Sequence, residues 1–246
     1  MAMDDDFLAL KKLPQRICFI GGGFISFEFA SVAARAGAKV SIVHRSGQVL
    51  KAFDPQLSAG LAEALKEAGV EIYLNAPIKA IERQEQTLRV KAESRNKEVC
   101  VEADMVVNGA GRVPDVDDLH LEIPGVSVSR KGIEVDRHMR SVSNPDFFAV
   151  GDAASSPFAL TPTGDMEGRT AAANILEPGS ASADYTGVPR AVYTAPPICA
   201  VGLLESEARE KGMKLQVIQE DMADWFSWTI TGQKHAGCKI LVDQEH

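Results

Sequence analysis

The chain has 246 residues, 45% of them hydrophobic, with 26 Lys and Arg against 34 Asp and Glu for a net charge of −8. This length can bury one large or two modest cores, the acidic balance offers no cationic stripe for nucleic acid, and no apolar run reaches the ~20 residues of a membrane-spanning helix. The opening MAMDDD has neither a basic region nor an apolar signal core, so the expected location is the cytoplasm.

The first predicted element is a buried strand that breaks into glycines and resumes as an apolar-faced helix, in the run ICFIGGGFISFEFA at residues 17–30. Strand, glycine turn and helix in that order suit a dinucleotide pyrophosphate. Gly21 allows the tight turn, Gly23 lets a cofactor backbone approach, and the small Ser26 keeps helix close to strand. Free N–H groups at the new helix end face the phosphates.

The next strand, AKVSIVHR at 38–45, follows one helix later, as a ~30-residue βαβ unit requires. An NAD or FAD site should place an acid about 20 positions past the glycines, at the end of this strand, to hold the ribose 2′-hydroxyl. The strand ends instead in His44 and Arg45, with Lys51 six residues beyond Arg45. Two cations where a carboxylate is expected suit a 2′-phosphate, which predicts NADP(H) over NAD(H). The alternative is that Arg45 and Lys51 are ordinary solvated cations.

A helix is expected from about Pro55 to Glu67, a short strand at Val70, then a meander of three strands near 79–83, 87–93 and 98–101. DMVVNGAGRVP at 104–114 is a further buried strand entering a glycine turn, and DFFAVGDAA at 146–154 a second such strand and turn. Helical spacing resumes over 163–176, after LTP at 160–162. Beyond Tyr185 the pattern changes to a Pro-Pro segment and then alternating strands. Cys18, Cys100, Cys199 and Cys238 are far apart and suit reduced packing thiols, while the five histidines show no metal spacing.

GGGFISFE, HisArg with Lys51, GAGRVP, AVGDAA, LTP and YTAPPICAVG occur in the order and approximate spacing of the pyridine nucleotide-disulfide oxidoreductases, and the chain most resembles the glutathione reductase branch. The resemblance implies an α/β protein with a doubly wound, Rossmann-like NADP(H) domain at 1–114. A second part of a split FAD domain at 115–185 and a truncated α+β interface domain at 186–246 follow by the same analogy. The implied partners are small-molecule dinucleotides and, in the parent enzyme, a second subunit.

The same resemblance makes Phe24 an aromatic gate over the flavin, with Ile25 beside it, and Glu28 the acid at the nicotinamide end. Gly111 and Arg112 form a second wall of the crevice. Gly151 and Asp152 carry the acid for the flavin ribityl chain, and Ala159, Leu160 and Thr161 lie at the flavin ring. Each has a plainer reading: Phe24 and Ile25 as helix packing, Glu28 as a first-turn acid, Arg112 as a surface cation, Asp152 as a turn former.

Departures from the family pattern matter as much. The redox CxxxxC, the first glycine fingerprint with its adenine-binding acid, and the terminal HisPro segment have no counterpart in this sequence, so no catalytic residue is assigned. The chain is expected to be a fragment of a longer enzyme. The implied parent reaction is hydride transfer from NADPH to FAD, then to a cysteine pair and a disulfide substrate, with a glutathione-type disulfide favoured over lipoamide, mercuric ion or quinone. The other reading is an NADP(H)-binding module without catalysis of its own.

Overall fold

A short helix, Asp4–Leu8 (α1), leads into Arg16–Ile20 (β1), whose three middle residues are buried. Phe24–Arg35 (α2) crosses to Lys39–Val43 (β2), and Pro55–Glu67 (α3) crosses to Val70–Tyr73 (β3). An antiparallel meander follows, Ile78–Gln84 (β4), Thr87–Ser94 (β5) and Lys97–Ala103 (β6), before Met105–Asn108 (β7) returns beside β1. The parallel sheet has the order β3-β2-β1-β7. In this computed structural model residues 2–95 and 97–244 are described. They fall into two units, Met1–Gly111 with Pro189–His246, and Arg112–Val188.

The sheet is buried on both faces, which is why its strands are continuous apolar runs. Alternation along β1 sends Ile17 and Phe19 toward the helices, where they pack with Phe27, Ala30, Leu61 and Leu65. Cys18, between them, packs on the other side with Val43, Val90, Val101 and Val106, under the meander. The meander strands begin and end within a residue or two of the expected positions. Helix α3 spans the expected residues because Asp54 accepts the N–H groups of Gln56 and Leu57, and Pro55 fills the first helical position. Ser58, Leu61, Ala62 and Leu65 are its buried stripe.

The second unit contains a hairpin, Val128–Ser129 (β8) with Gly132–Ile133 (β9), and the helix Thr161–Leu176 (α4). Val116, Leu121, Val126, Ile133, Ala149 and Ala154 form its core. Two expectations change here. The stretch at 146–150 is not a regular strand: Phe148 makes an isolated bridge to Arg140, and Gly151–Ala153 closes into a single 3-10 turn. Helix α4 starts at Thr161 rather than 163, because Pro162 lies in the first turn, where its missing N–H has no helical partner to lose.

After residue 188 the chain rejoins the first unit. Arg190–Val192 (β10) pairs with Ile198–Ala200 (β11), and Val192 and Ile198 enter the same buried cluster as Phe19 and Phe27. Glu205–Glu210 (α5), Leu215–Asp221 (β12), Phe226–Ile230 (α6) and Gly237–Asp243 (β13) complete it, with β12 and β13 antiparallel. No helix among the described residues is long and apolar enough to cross a membrane.

Candidate functional site

Three parallel strands end together at the start of α2. The Gly21 N–H donates to the Val43 carbonyl at 3.0 Å, and the Gly109 N–H donates to the Ile20 carbonyl at 2.8 Å, so the turns after β1 and β7 lock onto their neighbours. Gly21 has φ +111°, and a Cβ there would sit 2.3 Å from the Gly109 carbonyl oxygen. Only glycine satisfies both conditions. Ser26 is fully buried; its hydroxyl donates to the Ile20 carbonyl at 3.4 Å, and a Cβ on Gly109 would strike that hydroxyl oxygen at 2.2 Å. The small residue expected at position 26 therefore packs helix, first turn and second turn into one corner.

Gly23 is the N-cap of α2, and no side chain caps this end. A Cβ on Gly23 would make only an ordinary contact, 3.7 Å from the Gly109 carbonyl oxygen. Phe24 is exposed at this mouth, whereas Ile25 is buried beneath it. Glu28, one turn on, accepts the Tyr193 N–H at 2.8 Å. Ser31 accepts the Ala195 N–H at 3.2 Å, and Arg35 donates to the Ala195 carbonyl at 3.1 Å. This face of α2 thus holds the 193–195 segment, a role for Glu28 that the sequence did not reveal.

Beyond β2 the chain bends back over the fingerprint. The Leu50 N–H donates to the Gly22 carbonyl at 2.8 Å, while Val49, Leu50 and Phe53 are buried. His44 lies under this loop. Its Nε2 is 2.7 Å from the Ser46 hydroxyl and 3.1 Å from the Gln48 carbonyl, and its ring occupies the space a Gly22 side chain would need. Burial pushes the imidazole pKa below its usual value; the Gln48 carbonyl opposes that, and Lys51 and Arg45 reinforce it. Arg45 and Lys51 are exposed, and among the described residues neither has a carboxylate within 4 Å.

In the second unit, Arg112 pairs with Asp152 at 2.7 Å, both about half exposed. Gly151 has φ +61° and donates its N–H to the Glu167 carboxylate at 2.7 Å. Glu167 is wholly buried and also accepts the Tyr185 hydroxyl at 2.8 Å. Burial, then the Glu167 carboxylate, raises the Tyr185 pKa. Ala159 and Thr161 are exposed and flank Leu160, the N-cap residue of α4, which has no side-chain cap. Glu167 was not a sequence candidate: a lone acid in a helix carries no spacing signal, and only its full burial distinguishes it. Gly111, with φ +134°, ends the first unit and faces open space. Among the described residues there is no group of three or more potential metal ligands.

Residues 1–173 match the pyridine nucleotide-disulphide oxidoreductase family. The chain belongs to this family. It is 36% identical over 207 residues to a dihydrolipoyl dehydrogenase of Geobacillus stearothermophilus, covering 84% of this chain and 43% of that one. It is 34% identical over 218 residues to a glutathione reductase of Burkholderia cepacia, covering 88% and 47%. A mercuric reductase of Staphylococcus aureus is 32% identical over 205 residues, covering 83% and 37%. Among solved structures, a Cu(II) complex of the HOCl-induced flavoprotein disulfide reductase RclA from Escherichia coli superposes with a TM-score of 0.85 at 29% identity, covering 99% of this chain and 54% of that one. The chain spans about half the length, or less, of these relatives. The family comprises FAD-dependent enzymes that use pyridine nucleotides.

Proposed function

We propose that this chain carries the NADP(H)-binding unit, and part of the FAD-binding unit, of a disulfide oxidoreductase resembling glutathione reductase. The observation that carries the coenzyme choice is the pair Arg45 and Lys51, exposed past the end of β2 with no carboxylate partner among the described residues, where an NAD site would present an acid. A 2′-phosphate carries close to two negative charges and gains charge-assisted hydrogen bonds from such cations.

The residues present fit a dinucleotide. The corner of Gly21, Gly109 and Ser26 excludes side chains, and the uncapped start of α2 over Gly23 would hold the pyrophosphate. Phe24, exposed over buried Ile25, would shield the nicotinamide end from water. Glu28 is held by the Tyr193 amide. Asp152, oriented by Arg112, and the uncapped start of α4 at Ala159 to Thr161 fit part of a flavin-binding surface. When bound, nicotinamide supplies a hydride, and flavin accepts it and passes electrons toward a disulfide. Identities of 36%, 34% and 32% to a dihydrolipoyl dehydrogenase, a glutathione reductase and a mercuric reductase do not choose the acceptor. The unpaired cations favour the glutathione-type reading.

A second reading concerns these 246 residues alone. Their four cysteines are free, and no CxxxxC pair is present, which suits a coenzyme-binding unit without turnover. Calorimetric affinities for NADPH and NADH test the first reading: NADPH should bind tighter, the difference should shrink in Arg45→Ala and Lys51→Ala, and equal affinities overturn it. Flavin absorbance together with NADPH oxidation by the purified chain overturns the second.

A further inference from the structure

We infer that His44, seated on Gly22, is the positioning residue for the loop that presents Arg45 and Lys51, and that its free nitrogen takes up a proton when a 2′-phosphorylated coenzyme binds. This rests on the NADP(H) reading and deepens it.

The geometry is specific. Gly22 does not have a left-handed φ, so the backbone there tolerates any residue, yet a Cβ would meet three atoms of the His44 ring at 2.7 to 2.9 Å. Glycine is required at this position by the imidazole rather than by the turn. Nε2, one of those three atoms, also holds the Ser46 hydroxyl and the Gln48 carbonyl, and the Ser46 hydroxyl itself lies 3.3 Å from the same carbonyl. A carbonyl only accepts, so Nε2 carries the proton of the neutral ring and donates it. That leaves Nδ1 bare, and it makes no hydrogen bond among the described residues.

The ring is therefore a peg between the fingerprint turn and the loop at 45–51. The Leu50 N–H to the Gly22 carbonyl closes the other side of the same loop. Among the described residues its neighbours supply no negative charge. From its own loop the charged groups acting on it are Lys51 and Arg45; from the fingerprint it meets Gly22. From the β3 side its backbone N–H donates to the Tyr73 carbonyl and its carbonyl accepts the Ala76 N–H, while the Tyr73 hydroxyl is turned to Glu71.

Burial disfavours the charged ring, and the nearby cations Lys51 and Arg45 add to that, so the free protein favours neutral His44. A dianion beside Arg45 and Lys51 reverses the local potential and favours imidazolium. The step is a simple proton uptake: Nδ1 accepts one proton from solvent as the coenzyme docks, and no bond breaks in the ligand. NAD(H), lacking the phosphate, has nothing to drive it. By linkage, affinity for NADP+ rises as pH falls toward 7, by no more than about tenfold per pH unit for a single proton. Affinity for NAD+ does not follow.

The test is titration calorimetry of the protein with NADP+ and NAD+ at pH 7.5, where the 2′-phosphate is already a dianion, in two buffers of different ionisation enthalpy. NADP+ should bind with net proton uptake and NAD+ with none. His44→Gln, which keeps a donor for the loop but cannot take the proton, should abolish the uptake and reduce the preference for NADP+ by up to about tenfold, the linkage value of one proton over one pH unit. Independently, Gly22→Ala should lower the melting temperature when His44 is present and leave it unchanged in a His44→Ala background. Tighter NADP+ binding without proton uptake, uptake that survives His44→Gln, or a Gly22→Ala effect independent of His44 overturns this inference alone. Equal affinity for the two coenzymes with no uptake from either overturns the NADP(H) reading and this inference with it.

Discussion

Lys239 on β13 reaches Asp54, the N-cap of α3, at 2.8 Å, with both side chains only about a tenth exposed. Asp54 already accepts two backbone N–H groups, and the Lys239 ammonium also reaches Glu205 at 3.3 Å. Burial alone would raise the Asp54 pKa, but Lys239 and the two N–H donors outweigh it, and the net shift is downward. A carboxyl whose folded pKa lies below its unfolded value contributes stability above the unfolded value, near 4, and loses it as pH falls through the folded value. Asp54→Ala should therefore cost about 2–4 kcal/mol at pH 7, combining a lost cap with a broken, mostly buried ion pair. That cost should shrink below about pH 4. Denaturant unfolding at pH 7 and pH 3.5 checks both the size and the pH trend.

The second unit offers a buried polar counterpart. Glu167 has two partners, the Gly151 N–H and the Tyr185 hydroxyl, and no exposure to water. Glu167→Ala strands both donors and leaves a void, so about 2–4 kcal/mol of destabilisation is expected. Tyr185→Phe removes a single donor and should cost about 1–2 kcal/mol. Because Gly151 precedes Asp152, Glu167→Ala should also loosen the turn carrying Asp152. Hydrogen exchange at residues 151–153 should accelerate in Glu167→Ala and stay slow in Tyr185→Phe.

These two clusters also mark where sequence reading stops. The corner built from Gly21, Ser26 and the apolar strands was legible because backbone geometry dictates those residue types, and periodicity and glycine placement record that geometry directly. The start of α3 was legible for the same reason, through Pro55 and the acid before it. Glu28 with Tyr193, Asp54 with Lys239, and Gly22 with His44 were not legible. Each joins segments whose separation is set by the whole fold, and an isolated polar residue carries no period to reveal its partner. The stretch at 146–150 misled for a related reason: an apolar run is needed equally by a paired strand and by an extended segment packed on a small core.

Thiol accessibility gives a separate check on the packing. Cys18 is wholly buried between sheet and meander, and that burial pushes its pKa to about 12. Cys100 and Cys199 are exposed, and Cys238 is half buried. Brief treatment with a thiol reagent should modify Cys100 and Cys199 first, Cys238 more slowly, and Cys18 only after unfolding. Peptide mapping by mass spectrometry reads this order. Early modification of Cys18 would show that the meander does not cover β1 as described.

The two fingerprint glycines should respond differently to the same substitution. At Gly21 an added Cβ meets fixed backbone, with the Gly109 carbonyl oxygen at 2.3 Å and carbon at 2.6 Å, and the positive φ adds strain. Neither contact can be relieved by rotating a side chain, so Gly21→Ala should cost at least about 2 kcal/mol and shift the melting temperature of the free protein. At Gly23 the same Cβ has ordinary contact distance to its nearest neighbour, 3.7 Å away. Gly23→Ala should leave the melting temperature of the free protein within a degree or two, about 0.5 kcal/mol, and act only on ligand binding. If a pyrophosphate passes over Gly23, the variant should lose NADPH affinity by about tenfold or more, since a methyl group displaces a close backbone approach. Thermal melts with and without NADPH separate the cases: Gly21→Ala lowers both curves, and Gly23→Ala removes only the ligand-induced rise. Unaltered NADPH affinity in Gly23→Ala would place the coenzyme elsewhere than over the start of α2.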